Sequence, residues 1–225
     1  MRTRLYRLLL TAAALGLPGA TAFAQDLDLQ VRHKTVVTGA DGVRRTTEFD
    51  ERFIRRADTV WTERVVPAAA AALAHPHAAS GHKHFDSATA ARWVQRGTDA
   101  IPQLVLVDRH DRVTVDVSPA DYENVGFQGR WDRAYFLIDP ATLGAMSKAG
   151  APLADGAQWF EQKTAQGSVR VLWDERLKYP REVRSASANG ITVREMRATR
   201  IPATETAPWT ETKSWLRKGL NDFLD

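Results

Sequence analysis

The chain has 225 residues, 31 Lys and Arg against 27 Asp and Glu, 44% hydrophobic content and no cysteine. Without cysteine there is no disulfide and no thiolate site, so stability rests on a hydrophobic core of the size that roughly 200 residues can build. The first 24 residues hold three of the arginines and no acid; the remainder carries 28 basic against 27 acidic groups, a net of +1, so nucleic acid, which needs a clustered basic surface, is not an expected partner.

Arg2, Arg4 and Arg7 form a basic n-region, Leu8 to Leu17 a short apolar h-region, and Ala22-Phe23-Ala24 an A-x-A cleavage signal. Residues 1–24 therefore read as a signal peptide, with a mature start at Gln25. The h-region is too short to span a bilayer, no Cys follows it to be acylated, and no later apolar run is long enough to cross a membrane. The expectation is a soluble, exported, periplasmic protein with one domain over 25–225.

Leu27 to Thr38 alternates, with Leu29, Val31, His33 and Val37 on one face. That is the pattern of a half-buried strand. After the Asp41-Gly42 turn, Val43 to Arg56 reads as a second strand, with Thr47, Phe49 and Phe53 on one face and Glu48, Asp50 and Arg52 on the other. Thr59 to Val66 reads as a third, which Pro67 ends. A His-rich loop at about 67–86 follows. Ser87 to Arg96 reads as a short helix, with Asp86 as N-cap and Gly97 as its stop. Leu104 to Asp108 and Val113 to Val117 form a hairpin, Pro119 to Val125 a helical turn, Ala134 to Ile138 a strand, and Pro140 to Ala149 a helix. Gln158 to Phe160, Ser168 to Asp174, Tyr179 to Ala186 and Ile191 to Arg200 read as strands, the last two joined at Asn189-Gly190. Thr210 to Leu224 carries an apolar stripe at helical spacing. The sum is α+β: a curved antiparallel sheet, an incomplete barrel, with a few short helices and a C-terminal helix.

The stretch Val171-Leu172-Trp173-Asp174-Glu175-Arg176-Leu177-Lys178-Tyr179-Pro180-Arg181-Glu182-Val183, followed by Asn189-Gly190, resembles periplasmic lipoprotein-carrier proteins of the LolA/LolB half-barrel type. There a strand ends in an aromatic-Asp pair and a short turn leads through Pro to a second strand and hairpin. The resemblance implies an incomplete barrel whose concave side is closed by helices, a hydrophobic cavity for acyl chains, and no catalytic residue. The His-rich insertion departs from the pattern.

Chemistry-bearing side chains concentrate in that insertion. His75, His77, His82 and His84 are four of the chain's six histidines and fall within ten residues as two His-x-His pairs. Imidazole is the commonest protein ligand for zinc, copper and nickel, so a divalent-metal site is one reading and a solvated, weakly binding loop is the other. His82-Lys83-His84-Phe85-Asp86 begins a metallo-β-lactamase-like H-x-H-x-D-H, but Ser87 stands where the last His belongs. No nucleophile elbow, phosphate loop or dinucleotide fingerprint occurs. His33 shares the apolar face with Val31. Phe49, Phe53, Phe127 and Trp131 are candidates to line a ligand cavity, with His33 beside them; core packing is the alternative. The leading expectation is a non-enzymatic binding or carrier protein for an apolar small molecule or lipid. A metal-binding protein, or an accessory subunit of an envelope complex docking through its terminal helix, are the alternatives.

Overall fold

The computed structural model describes residues 25–67, 85–99 and 101–223. The expected signal peptide and most of the His-rich loop lie outside these residues. Twelve strands form one open sheet, in the order β12 (Leu216–Gly219), β6 (Val113–Val117), β5 (Gln103–Asp108), β4 (Ala91–Gln95), β3 (Thr59–Val65), β2 (Arg44–Arg56), β1 (Leu27–Thr38), β11 (Thr192–Arg200), β10 (Tyr179–Ser187), β9 (Gly167–Asp174), β8 (Ala157–Thr164) and β7 (Ser147–Ala149). All pairings are antiparallel except that of β12 with β6. The fold is α+β, with a curved, mostly antiparallel sheet and only short helices. Among the described residues no helix is long and apolar enough to cross a membrane.

The first meander follows the alternating pattern. Strands β1 (Leu27–Thr38), β2 (Arg44–Arg56) and β3 (Thr59–Val65) form where side-chain parity separates one buried face from one wet face. Strands β8 (Ala157–Thr164), β9 (Gly167–Asp174), β10 (Tyr179–Ser187) and β11 (Thr192–Arg200) form the second. The two meet where β1 pairs with β11, from Leu29 opposite Arg200 to Val37 opposite Thr192. The concave face carries the main core, including Leu29, Val31, Phe53, Val60, Val94, Leu104, Leu106 and Val115. The convex face carries a second cluster of Ile54, Trp61, Ala91, Val105 and Val107, flanked by Trp93, Trp209 and Trp215.

Four local expectations are corrected. Residues 91–95 are a strand, β4 (Ala91–Gln95), not a helix. Trp93 faces Trp61 and Val105 on the convex side while Val94 faces Val60 and Leu104 on the concave side, so pairing on both edges overrides local helix propensity. Asp86 caps a turn instead, accepting from the Ala88 amide at 2.9 Å and the Thr89 hydroxyl at 2.8 Å. The run expected as a strand at 134–138 lies in helix α1 (Trp131–Phe136), which Leu137 ends at φ 66°. Its Tyr135 and Ala134 pack down onto the sheet. The next helix is one turn only, α2 (Ala141–Gly144), before edge strand β7 (Ser147–Ala149).

The terminal segment is not a continuous helix. Pro208–Ser214 is a 3-10 turn, Leu216–Gly219 is strand β12, and Leu220–Phe223 is another 3-10 turn. Its apolar residues divide between two faces. Trp209 and Trp215 pack on the convex cluster, and Leu220 and Phe223 on the concave core, so the chain wraps the β6 (Val113–Val117) edge of the sheet.

Candidate functional site

Antiparallel register stacks the concave residues of β1–β4 in rows. Nearest α1, Val60 lies opposite Val94; the next row holds Phe53, Thr62 and Arg92; the next Val31, Glu51 and Arg64; the outermost Met196, His33 and Phe49. The segment 126–130 and helix α1 cross in front of these rows. Between sheet and cover lies a groove of about 500 Å³. Val60, Val94, Phe127, Ala134, Leu137 and Met196 give it an apolar floor and wall. A second hollow, of about 650 Å³, lies on the concave side beneath α2 beside Phe160 and Trp173; it is more open to solvent and lined by acids and lysines together.

The groove is not purely apolar. His33 stacks on Phe49 with ring centroids 4.7 Å apart, and its Nε2 lies 2.8 Å from Glu51 Oε2. The Arg64 guanidinium also lies over the Phe49 ring, 4.7 Å from its centroid. Arg92 donates to the carbonyls of Val125 at 2.6 Å and Gly126 at 3.3 Å, tying β4 to the loop that covers it. Burial pushes its guanidinium below the ordinary value, with Glu51 acting in the opposite sense. Arg130 and Arg133 enter from the cover, and Arg130 is paired with Asp139. The described lining residues include no Ser, Cys or Lys and one Thr, Thr62. The arrangement can bind an elongated apolar group beside cationic donors.

The sequence-expected cavity residues separate. His33, Phe49 and Phe127 line the groove. Phe53 is fully buried in the core. Trp131 packs on Tyr135 with the rings tilted and their centroids 4.9 Å apart, and Arg96 lies over its ring at 6.0 Å. His75, His77, His82 and His84 lie outside the described residues. Among the described residues no group of three or more His, Asp or Glu is placed to hold a metal. Glu51, Arg64, Arg92 and Arg133 were not singled out from the sequence. Parity alone carries the signal for Glu51, because it falls between Phe49 and Phe53 on their own face. Arg92 is invisible once its segment is read as a helix.

No family model matches the chain, and no curated protein does. Among solved structures it is similar to an uncharacterized conserved protein from Thermus thermophilus, at 9% identity, 86% of this chain, 90% of that chain and a TM-score of 0.40. It is also similar to a putative outer membrane lipoprotein-sorting protein domain from Vibrio parahaemolyticus, at 10% identity, 83% and 89% coverage and a TM-score of 0.34. A LolA superfamily protein from Nitrosomonas europaea matches at 9% identity, 81% and 91% coverage and a TM-score of 0.29.

Proposed function

We propose that this is an exported periplasmic binding or carrier protein, non-enzymatic, that holds a lipid-like ligand in the groove between the concave sheet and α1. The observation that carries the reading is the groove itself. A half-open groove of about 500 Å³, with Val60 and Val94 on the sheet side and Phe127 and Leu137 on the cover, is in the size range of small-molecule sites, and its apolar surface is stabilised by exchanging water for hydrocarbon. Sheet rows and helix cover enclose it from opposite sides, so a chain-shaped molecule meets protein along most of its length.

The test is direct. Purified protein is extracted with organic solvent for mass spectrometry and titrated with a hydrophobic fluorescent probe. The reading expects a co-purifying lipid or a saturable probe signal. It also expects Ala134→Trp, which fills the groove from α1, to abolish the signal while thermal unfolding stays cooperative. Protein with neither extractable lipid nor probe response overturns it.

A further inference from the structure

The groove holds more positive charge than an apolar ligand uses. Four guanidinium groups line it, from Arg64, Arg92, Arg130 and Arg133, against one carboxylate, Glu51. Arg130 is already paired with Asp139, and Glu51 is engaged by His33. Among the described residues Arg64, Arg92 and Arg133 have no carboxylate partner within ion-pair distance. Arg64 and Arg92 are diagonal neighbours on one face of β3 and β4, because Arg92 is opposite Thr62, two residues from Arg64. Arg133 stands across from them on α1. Both sheet arginines are held in place: Arg64 by the Phe49 ring, Arg92 by the Val125 and Gly126 carbonyls.

We propose that the ligand is an amphiphile, an alkyl chain bearing a carboxylate or phosphate head, with the head held by Arg64, Arg92 and Arg133 and the chain lying on Val60, Val94, Phe127 and Leu137. The inference rests on the lipid-binding reading of the groove and narrows it. A guanidinium fork matches carboxylate and phosphate oxygens and forms its strongest hydrogen bonds to them. Burial costs Arg92 solvation that the neutral Val125 and Gly126 carbonyls restore only in part, while Arg64 and Arg133 are exposed and their charge is balanced only by water. An anionic head supplies the charge partner that all three lack, whereas a neutral head leaves the three cations as they are.

Displacement of a bound hydrophobic probe by decanoate, decyl phosphate and decanol tests this, since the three share a chain and differ in head. The acids are expected to displace at concentrations about tenfold or more below decanol. The better of the two acids identifies the head. In the double variant Arg64→Gln/Arg133→Gln that advantage is expected to collapse to near parity, and Glu51→Gln is expected to enlarge it, since it removes the lining carboxylate. Decanol binding as tightly as both acids to the wild type overturns the proposal and leaves the lipid-binding reading standing. So does an advantage that persists undiminished in a double variant with an unchanged melting temperature. If none of the three displaces the probe, the lipid-binding reading falls with it.

Discussion

Asp174 shows how much one side chain does at the bend between β9 and β10. Its Oδ1 accepts from the amides of Arg176 at 3.1 Å and Leu177 at 2.8 Å, and its Oδ2 from Arg181 Nη2 at 2.7 Å and Nε at 3.0 Å. Burial pulls its carboxyl upward, but these donors outweigh it and hold it below its ordinary value. Asp28 is held down in the same way, burial being outweighed by Arg56 and Thr204. A group with a lowered folded value contributes stability above its unfolded value of about 3.9 and loses it as pH falls through the folded one. Stability is therefore expected to drop below about pH 4, and Asp174→Asn to lower it by about 3 kcal/mol at neutral pH with a shallower acid limb. Urea unfolding from pH 7 to pH 2 measures both, and a variant as acid-sensitive as the wild type contradicts the assignment. Arg55 is the cationic counterpart. It is fully buried beneath α1 and donates to the carbonyls of Gln25 at 3.0 Å, Leu177 at 2.6 Å, Lys178 at 2.9 Å and Tyr135 at 3.4 Å. Arg55→Met keeps the volume and strands these acceptors, so it is expected to destabilise by about 3 kcal/mol in the same measurement.

At the scale of elements, the β8–β9 and β10–β11 hairpins make opposite demands on their glycines. A Cβ on Gly167, at φ 151°, would stand 2.1 Å from the Ala186 carbonyl oxygen, whereas one on Gly190, at φ 69°, meets nothing within 4 Å. Gly167→Ala is expected to cost at least about 3 kcal/mol through backbone collision, and Gly190→Ala only the left-handed penalty of about 1 kcal/mol. Equal melting temperatures for the two variants would contradict this register. The same contrast between local and paired information decides what could be read from the sequence. Strands β1, β2 and β3 were legible because parity is written into consecutive residues, as in Leu29, Val31 and His33. Strand β4 was not. Ala-Arg-Trp-Val-Gln suits a helix locally, and only its pairing on both edges, with β3 across the 66–90 connection and with β5 across residues 96–102, makes it a strand. In the terminal segment Trp215, Leu220 and Phe223 satisfy a helical stripe on paper, yet they serve two faces of the sheet around its edge. In the groove the aromatic lining at Phe49 and Phe127 was visible by residue type. Arg92 and Arg133 were not, because they enter through β4 and α1, two of the elements misread, whereas Arg64 on β3 was placed by parity with Thr62 and Val60 but carries no type signal of its own.

For the whole molecule, the seam between β1 and β11 joins residues near opposite ends of the chain, and everything else is arranged outward from it. Both meanders are sequential, so each closes short loops; the seam alone brings residues 29–37 against 192–200. Closing so long a loop is entropically unfavourable, so the seam must be held by strands paired on both edges and buried on the concave face. Leu29 and Val31 are fully buried there, and Phe53 and Ile54 on β2 back them from the two faces of the sheet. The outer edges are held far less. β12 has four residue pairs with β6, and β7 has three with β8. Local opening should therefore spread inward from both edges, with amides of Ser147–Ala149 and Leu216–Gly219 exchanging first and those of Leu29, Val31 and Ile54 last, near the global unfolding free energy. The groove lies over β1–β4, on the slow side of that gradient, so a bound ligand should rest on a preformed wall and protect mainly the cover around 126–137. Hydrogen exchange with and without decanoate measures both. Slow exchange at β12 together with fast exchange at β1 would mean that the seam does not organise the fold, and ligand protection confined to the edges would place the site elsewhere.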